Sequence, residues 1–406
     1  MSDDDVMLQI YKLFEEPSKR SLYQMVKERS ESIGISDFQM SKILNIKKDT
    51  FSRLLKKLED GNVDNVDFYS ILKLCQLLGI SVDDMSQVYV ASLKSDHIKE
   101  LEQVRKASFI INHFDLKGLR TANFIENTTD FEHIEKRIVE FFQLNTIFEW
   151  KTEIGAVAFS RPKGLSHDKM REFWVRSALY QFEKIDNPNE YARENLTAII
   201  PKIAAYTRYE EKGFWTVMQA LYNIGITVIV QSYLNKTHVR GGTFVVNGKP
   251  CIVVTDFNKS YSTLWFALMH ELYHVLYDLE QLETLRYHLT GEAQSDLYLF
   301  REESADYFAC EMLFPKNKLD FIKSAIRSHS YVLDYAQQNK IHPSIIYSFY
   351  CYDQKDKHNN DEYALYQSYF GKSEKAIALV KSNPFDKKTI YEGILKIKQI
   401  LNPEII

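Results

Sequence analysis

Several things are scarce in this chain. Among 406 residues there are four cysteines, nine prolines and fourteen glycines. Cys75, Cys251, Cys310 and Cys351 are scattered, with no CxxC pair. That argues against a disulfide framework and a thiolate zinc site, and for reduced thiols in a cytoplasmic protein. No apolar run approaches the length of a membrane span, so no membrane partner is expected. The opening stretch "MSDDDVMLQIYKLFEEPSKR" is acidic where a signal peptide is basic. An excess of charge of one sign is also missing. The formal net charge is −4, so any contact with nucleic acid has to come from a local basic surface. No repeat and no low-complexity linker marks a domain boundary.

What remains is a normal globular composition, and the length predicts two or three domains. In "ISDFQMSKILNIKKDTFSRLLKKLEDG", Ser36 is placed to cap a short helix with apolar positions at Phe38, Met40, Ile43 and Leu44. Asn45 tolerates a left-handed turn. A second helix follows, with Phe51, Leu54, Leu55 and Leu58 inward and Gly61 closing it. A third carries Phe68, Ile71, Leu72, Cys75 and Leu78, with Gly79 behind it. Short helix, tight turn, second helix and packing helix make a helix-turn-helix. From about Ser36 to Met85 the segment resembles the Cro/repressor (XRE) family, with Ser41 at its small-residue position and a longer second helix. The exposed side of that helix offers Lys47, Lys48, Asp49, Ser52, Arg53, Lys56 and Lys57. The lysines suit phosphates; Arg53, Ser52 or Asp49 suit base edges. The competing reading is a solvated helix face.

The stretch 96–204 reads as helical, with a capping-box pattern at Thr129 and Glu132. Its aromatic residues Phe173, Trp174 and Phe182 fit a core better than a ligand cage. Next come a helix stopped near Gly225, a buried strand "ITVIV", and two β-rich runs on either side of Asn247-Gly248, a strong hairpin signal. Pro250 favours a non-central start for the second run. Thr243–Val246 is a candidate edge for adding an extended peptide.

The helix "SYSTLWFALMHELYHVLYD", with Ser262 as a candidate cap, places His270 and His274 one turn apart and Glu271 beside them. Two imidazoles on one helical face can grip one ion; a lone histidine is more often structural. A third ligand has to come from elsewhere. "REESADYFACEMLFP" offers Glu302 or Glu303, and Asp306 one turn after Glu302. Glu302 is preferred, because Asp306 can then accept the N–H of a ligating histidine and fix its tautomer.

Together, "HELYH" and "ExxADxFAxxxLxP" resemble the ImmA/IrrE family of metallopeptidase-like proteins. The matching residues are His270, Glu271, His274, Glu302, Ala305, Asp306, Phe308, Ala309, Leu313 and Pro315. The likeness covers roughly 213–353, and Tyr273 stands where that family favours glycine. The resemblance implies a gluzincin-like fold, a zinc ion on His270, His274 and Glu302, and Glu271 as the catalytic base. It also implies a partner regulatory protein as substrate. Tyr273, His238, Arg240 and Tyr287 are candidate oxyanion donors. The expected fold class is α+β and predominantly helical: an all-α helix-turn-helix domain (1–95), a helical middle (96–204), a zincin-like domain with a small antiparallel sheet (205–353), and C-terminal helices (354–406) with a packing or homodimer role. The leading expectation is a DNA-associated zinc endopeptidase. The alternatives are a non-catalytic repressor or antitoxin-like regulator, and the toxin of a toxin–antitoxin pair.

Overall fold

The computed structural model describes residues 21–60, 66–91, 95–151, 169–234, 237, 239–256, 259–285, 287–290, 302–354, 361–382, 385 and 390–401. The chain falls into two compact units, Met1–Ser108 and Phe109–Ile406, each with its own hydrophobic cluster. It is mostly helical with one small mixed sheet. Among the described residues no helix is long and apolar enough to cross a membrane.

The first unit contains α1 (Leu22–Ser32), α2 (Asp37–Ile43), α3 (Lys48–Glu59), α4 (Phe68–Leu78) and α5 (Val82–Ala91). The Ser36 side chain accepts the Gln39 amide while the Gln39 side chain accepts the Ser36 amide, a reciprocal cap that starts α2. Asn45, at φ 55°, turns the chain from α2 into α3. Gly79, at φ 64°, ends α4, where the Ile80 amide donates back to the Cys75 carbonyl. Phe51, Leu54, Leu55 and Leu58 of α3 are buried, as their spacing predicts. Phe38 and Ile43 are not: they are 55% and 60% exposed. Helix α2 has only two turns, and Met40, Ser41 and Leu44 already fill its inward stripe. Gly61 lies outside the described residues; Asp60 is the C-cap of α3.

Helix α6 (Ser95–His113) crosses the boundary between the units. It is followed by α7 (Leu116–Thr121), α8 (Phe131–Phe142), α9 (Lys169–Ile185), α10 (Arg193–Ile203) and α11 (Gly213–Asn223). The cap of α8 is Asp130, which accepts the His133 amide, and not the Thr129–Glu132 box. The Asn127 side chain takes the Thr129 and Asp130 amides and so shifts the start by one residue. Phe173, Trp174 and Phe182 are buried.

Gly225, at φ 85°, reverses the chain into β1 (Thr227–Gln231). Strands β2 (Gly241–Val246) and β3 (Lys249–Val254) form the expected hairpin, with both Asn247 and Gly248 at positive φ. Then come α12 (Tyr261–Tyr277), α13 (Leu279–Leu285), β4 (Tyr287–Thr290) and α14 (Glu302–Leu313). The chain continues through α15 (Lys316–Ile322), α16 (His329–Gln338), α17 (Pro343–Gln354), α18 (Asp361–Tyr366), α19 (Glu374–Ile377), β5 (Lys381–Ser382) and α20 (Ile390–Leu401).

The strand order is β4-β2-β3-β1-β5. The sheet is mixed rather than antiparallel, because the hairpin presents its second strand, β3, to β1, and that pairing is parallel. Strand β3 is therefore central, yet Pro250 fits: pairing with β1 begins one residue later, at Cys251. The expected open edge along Thr243–Val246 is closed over Thr243 and Phe244, which lie between β3 and β4. One hydrophobic cluster runs from Phe109 to Leu401, through helices on both sides of positions 204 and 353.

Helix α12 packs on β2, β3 and α14. Its cap is Ser260, whose hydroxyl accepts the Thr263 amide; Ser262 is buried two residues inside. Leu264, Trp265, Leu268, Leu272 and Val275 are buried, as expected. Truncating a leucine packed this deeply costs about 2–5 kcal/mol, so α12 is anchored firmly by its apolar side chains.

Candidate functional site

Helix α12 carries His270 and His274 one turn apart, both buried, and α14 carries Glu302. The two Nε2 atoms are 3.2 Å apart. Glu302 Oε2 is 3.2 Å from His270 Nε2, and Oε1 is 3.7 Å from His274 Nε2. These three residues form a group that can hold a metal ion. An ion bound tetrahedrally at about 2.0–2.1 Å needs ligand atoms about 3.3–3.4 Å apart, close to what is found. The competing ligand Glu303 is exposed.

The outer nitrogens of both histidines are held by carboxylates. His270 Nδ1 lies 2.8 Å from Asp306 Oδ1, the contact the four-residue spacing from Glu302 predicts. His274 Nδ1 lies 2.8 Å from Asp278 Oδ2. A carboxylate at Nδ1 keeps the proton there and turns the Nε2 lone pair toward the shared point, the arrangement expected behind a ligated metal. Asp278 went unnoticed in the sequence, although it stands four residues after His274 on the same helical face.

Burial alone lowers the basicity of His270. The hydrogen-bonding carboxylates of Asp306 and Glu302, helped by Glu271, outweigh it and push the pKa up to about 10. Burial acts on Glu302 in the raising direction, but hydrogen bonds from His270 and His288 hold its carboxyl far below the usual range.

Two further residues join the site from the sheet. Thr243 and His288 face each other across β2 and β4. The Thr243 hydroxyl donates to Glu271 Oε2 at 2.7 Å, and His288 Nε2 lies 2.6 Å from Glu302 Oε1. A single cross-strand pair thus orients both the candidate base and the candidate carboxylate ligand. Nothing in the sequence around His288 marks it as part of the site. The signal it lacked was the β2–β4 register. Glu271 is fully buried, and its other oxygen, Oε1, has no hydrogen-bond partner among the described residues. Gly241 makes that position possible, since a Cβ there would sit 2.7 Å from Oε1. A buried carboxylate oxygen without a donor is uncommon, and it fits a group reserved for a water or a substrate proton.

A cavity of about 740 Å³ opens beside Asp306 and is also lined by Arg240, Phe266 and Tyr352. Of the three described candidate oxyanion donors, Arg240 lines it. Tyr273 packs on Tyr277 and Phe308, Tyr287 stacks on Phe244, and His238 lies outside the described residues. His342 accepts the Ser344 amide at the start of α17 and so caps that helix.

In the first unit, Lys47, Lys48, Asp49, Ser52, Arg53 and Lys56 are exposed and Lys57 is half-buried. All but Lys47 lie on α3; Lys47 is its N-cap. Arg53 reaches back to the Asp49 carbonyl and the Thr50 hydroxyl. Lys48, Ser52 and Lys56 share one stripe, and Asp49 and Arg53 lie on the next.

Searches with this chain found no matching family model, no matching curated protein and no matching solved structure.

Proposed function

We propose that the second unit is a zinc-dependent endopeptidase of the gluzincin-like kind implied by the resemblance to ImmA/IrrE proteins, and that the first unit is an XRE-like helix-turn-helix that docks it on operator DNA. The substrate class is a partner regulatory protein. The observation that carries the reading is the convergence of His270, His274 and Glu302, with carboxylates behind both imidazoles, next to a buried Glu271 oxygen without a partner. Zinc in such a site polarises a peptide carbonyl and acidifies water toward neutrality. Glu271 takes the proton from the attacking water and passes it to the leaving amine, while Thr243 fixes its carboxylate in place. Asp306 and Asp278 hold the two imidazoles in one tautomer. On α3, Lys47, Lys48, Lys56 and Lys57 meet phosphates, and Asp49, Ser52 and Arg53 are set to read base edges.

A second reading is favoured by one specific observation. His270, Glu271 and His274 are all essentially inaccessible, which suits a regulator or toxin–antitoxin component whose metal stabilises a fold or docks a partner without turnover. Glu271→Gln separates the two. Under the peptidase reading it keeps the zinc and the DNA affinity and lowers cleavage of the partner by roughly 10²–10⁴-fold, the usual contribution of a positioned base. Undiminished partner cleavage in the variant counts against Glu271 as base; absence of any cleavage by the zinc-loaded parent favours the non-catalytic reading.

A further inference from the structure

The 740 Å³ cavity beside the metal group has an unusual charge balance. Arg240, Lys259 and Lys372 reach it from three separate segments. Arg240 immediately precedes β2, Lys259 immediately precedes the cap of α12, and Lys372 is held beside α12 by an antiparallel bridge to Ser260. None of the three cationic groups has an ion-pair or hydrogen-bond partner among the described residues.

The acids nearby are already committed. Asp306 takes His270 and the Tyr352 hydroxyl. Glu362 bonds to the Tyr350 side chain. Asp256, in the small adjoining recess lined by Arg240 and Lys259, takes Lys381 at 2.6 Å and the Tyr233 amide. The thiols on the wall, Cys310 and Cys351, are pushed by burial up to about 12 and are uncharged at neutral pH. Among the described lining residues, Arg240, Lys259 and Lys372 therefore outnumber the acids, Asp306 being held by His270 and Glu362 being the one carboxylate without a cationic partner. The remaining wall mixes the aromatic rings of Phe266, Phe349, Tyr363 and Phe370 with neutral polar side chains such as Thr263 and Gln367.

A phosphate-sized anion fills little of this volume, which falls in the range of about 300–1,000 Å³ typical of sites that enclose larger ligands. The cavity also reaches Asp306, one hydrogen bond from His270, which sets an occupant beside the metal group. We propose that this cavity receives an acidic stretch of polypeptide, its carboxylates paired with Arg240, Lys259 and Lys372 and its apolar side chains against the aromatic wall. The inference rests on the peptidase reading for its purpose, and names the substrate class of the same site.

The test is binding, so that it does not depend on turnover. The probes are two fluorescein-labelled eight-residue peptides of alternating glutamate and phenylalanine, or glutamine and phenylalanine. Anisotropy is measured on the full-length zinc-loaded Glu271→Gln protein. The glutamate peptide is expected to bind about ten-fold tighter, the combined effect of a few exposed charge pairs. Lys259→Gln with Lys372→Gln, both exposed positions, removes most of that preference and leaves the glutamine peptide unaffected; Arg240→Gln acts in the same direction. Equal binding of the two peptides, or a preference that survives the substitutions, overturns the proposal. So does saturation by inorganic phosphate through the same cations when the glutamate peptide does not bind. A charge-dependent complex that the parent protein never cuts sustains this proposal and removes the peptidase reading. Cleavage without charge preference does the reverse.

Discussion

Helices α3 and α12 carry their polar residues at the same four-residue spacing, with opposite outcomes. Lys48, Ser52 and Lys56 of α3 point into solvent, while His270 and His274 of α12 are buried between a sheet and a second helix. Periodicity names a face; what that face does is set by the surface packed against it. On α3 the opposite face buries Phe51, Leu54, Leu55 and Leu58, so the basic face is left to water or to a polyanion. On α12 the apolar residues leave the histidine side covered by β2, β4 and α14, and the imidazoles there find their partners inside the protein, while Glu271 Oε1 is left without one among the described residues.

The comparison can be broken or sharpened at four points. The largest effect belongs to the metal group. His270→Ala or His274→Ala is expected to reduce bound zinc to background in metal analysis of the purified protein while leaving operator affinity unchanged; full zinc in both variants removes the ligand assignment. Next is Thr243→Val, which deletes the hydrogen bond from Thr243 to the Glu271 side chain. A bond to a charged group is worth about 1.5–3 kcal/mol, so a clear fall in thermal midpoint or turnover is expected with zinc content unaltered. Lys48→Ala with Arg53→Ala is the corresponding probe of α3. Thermal stability should hardly move, because both side chains are exposed. The dependence of log affinity on log salt should flatten by about 0.9 for each lost phosphate contact. An unchanged slope says that α3 does not touch the DNA backbone.

The smallest effect is a pH dependence outside the site. Burial tends to raise the Asp353 pKa, but hydrogen bonds from Lys323 and Lys316 hold it at about 2. The folded value lies below the ordinary carboxylate value. Its contribution is therefore complete above about pH 4 and is lost as the pH falls through about 2. Asp353→Asn should lower the thermal midpoint slightly at neutral pH, with the difference shrinking in acid; a difference that stays constant with pH contradicts the assigned ion pairs.

Much of the site was legible because its key spacings are local. The pair His270–His274 and the pair Glu302–Asp306 each lie on one helix, and the histidine pairing with Asp306 follows once the two helices meet. His288 and Thr243 were not legible. Each is an ordinary residue in its own strand, and its meaning depends on a register that pairs β2 with β4. The same reason explains why Thr243–Val246 read as an edge: nothing in "GGTFVV" announces the short strand "YHLT" beside it.

Several element ends are set locally, within the sequence. Ser36 and Gln39 start a helix, Asn45 and Gly79 turn out of one, Asn247-Gly248 closes a hairpin, and the HExxH spacing sets two imidazoles on one face. Each depends on dihedral preferences and hydrogen bonds within a few residues. Tertiary packing is what sets a threonine, a histidine and two aspartates around those imidazoles and their neighbouring glutamate, and what gathers Arg240, Lys259 and Lys372, without partners among the described residues, in a cavity with Asp306. These groups meet because β2, β4, α12 and α14 pack together, and packing across such distances along the chain is fixed by the core as a whole rather than by any segment of it.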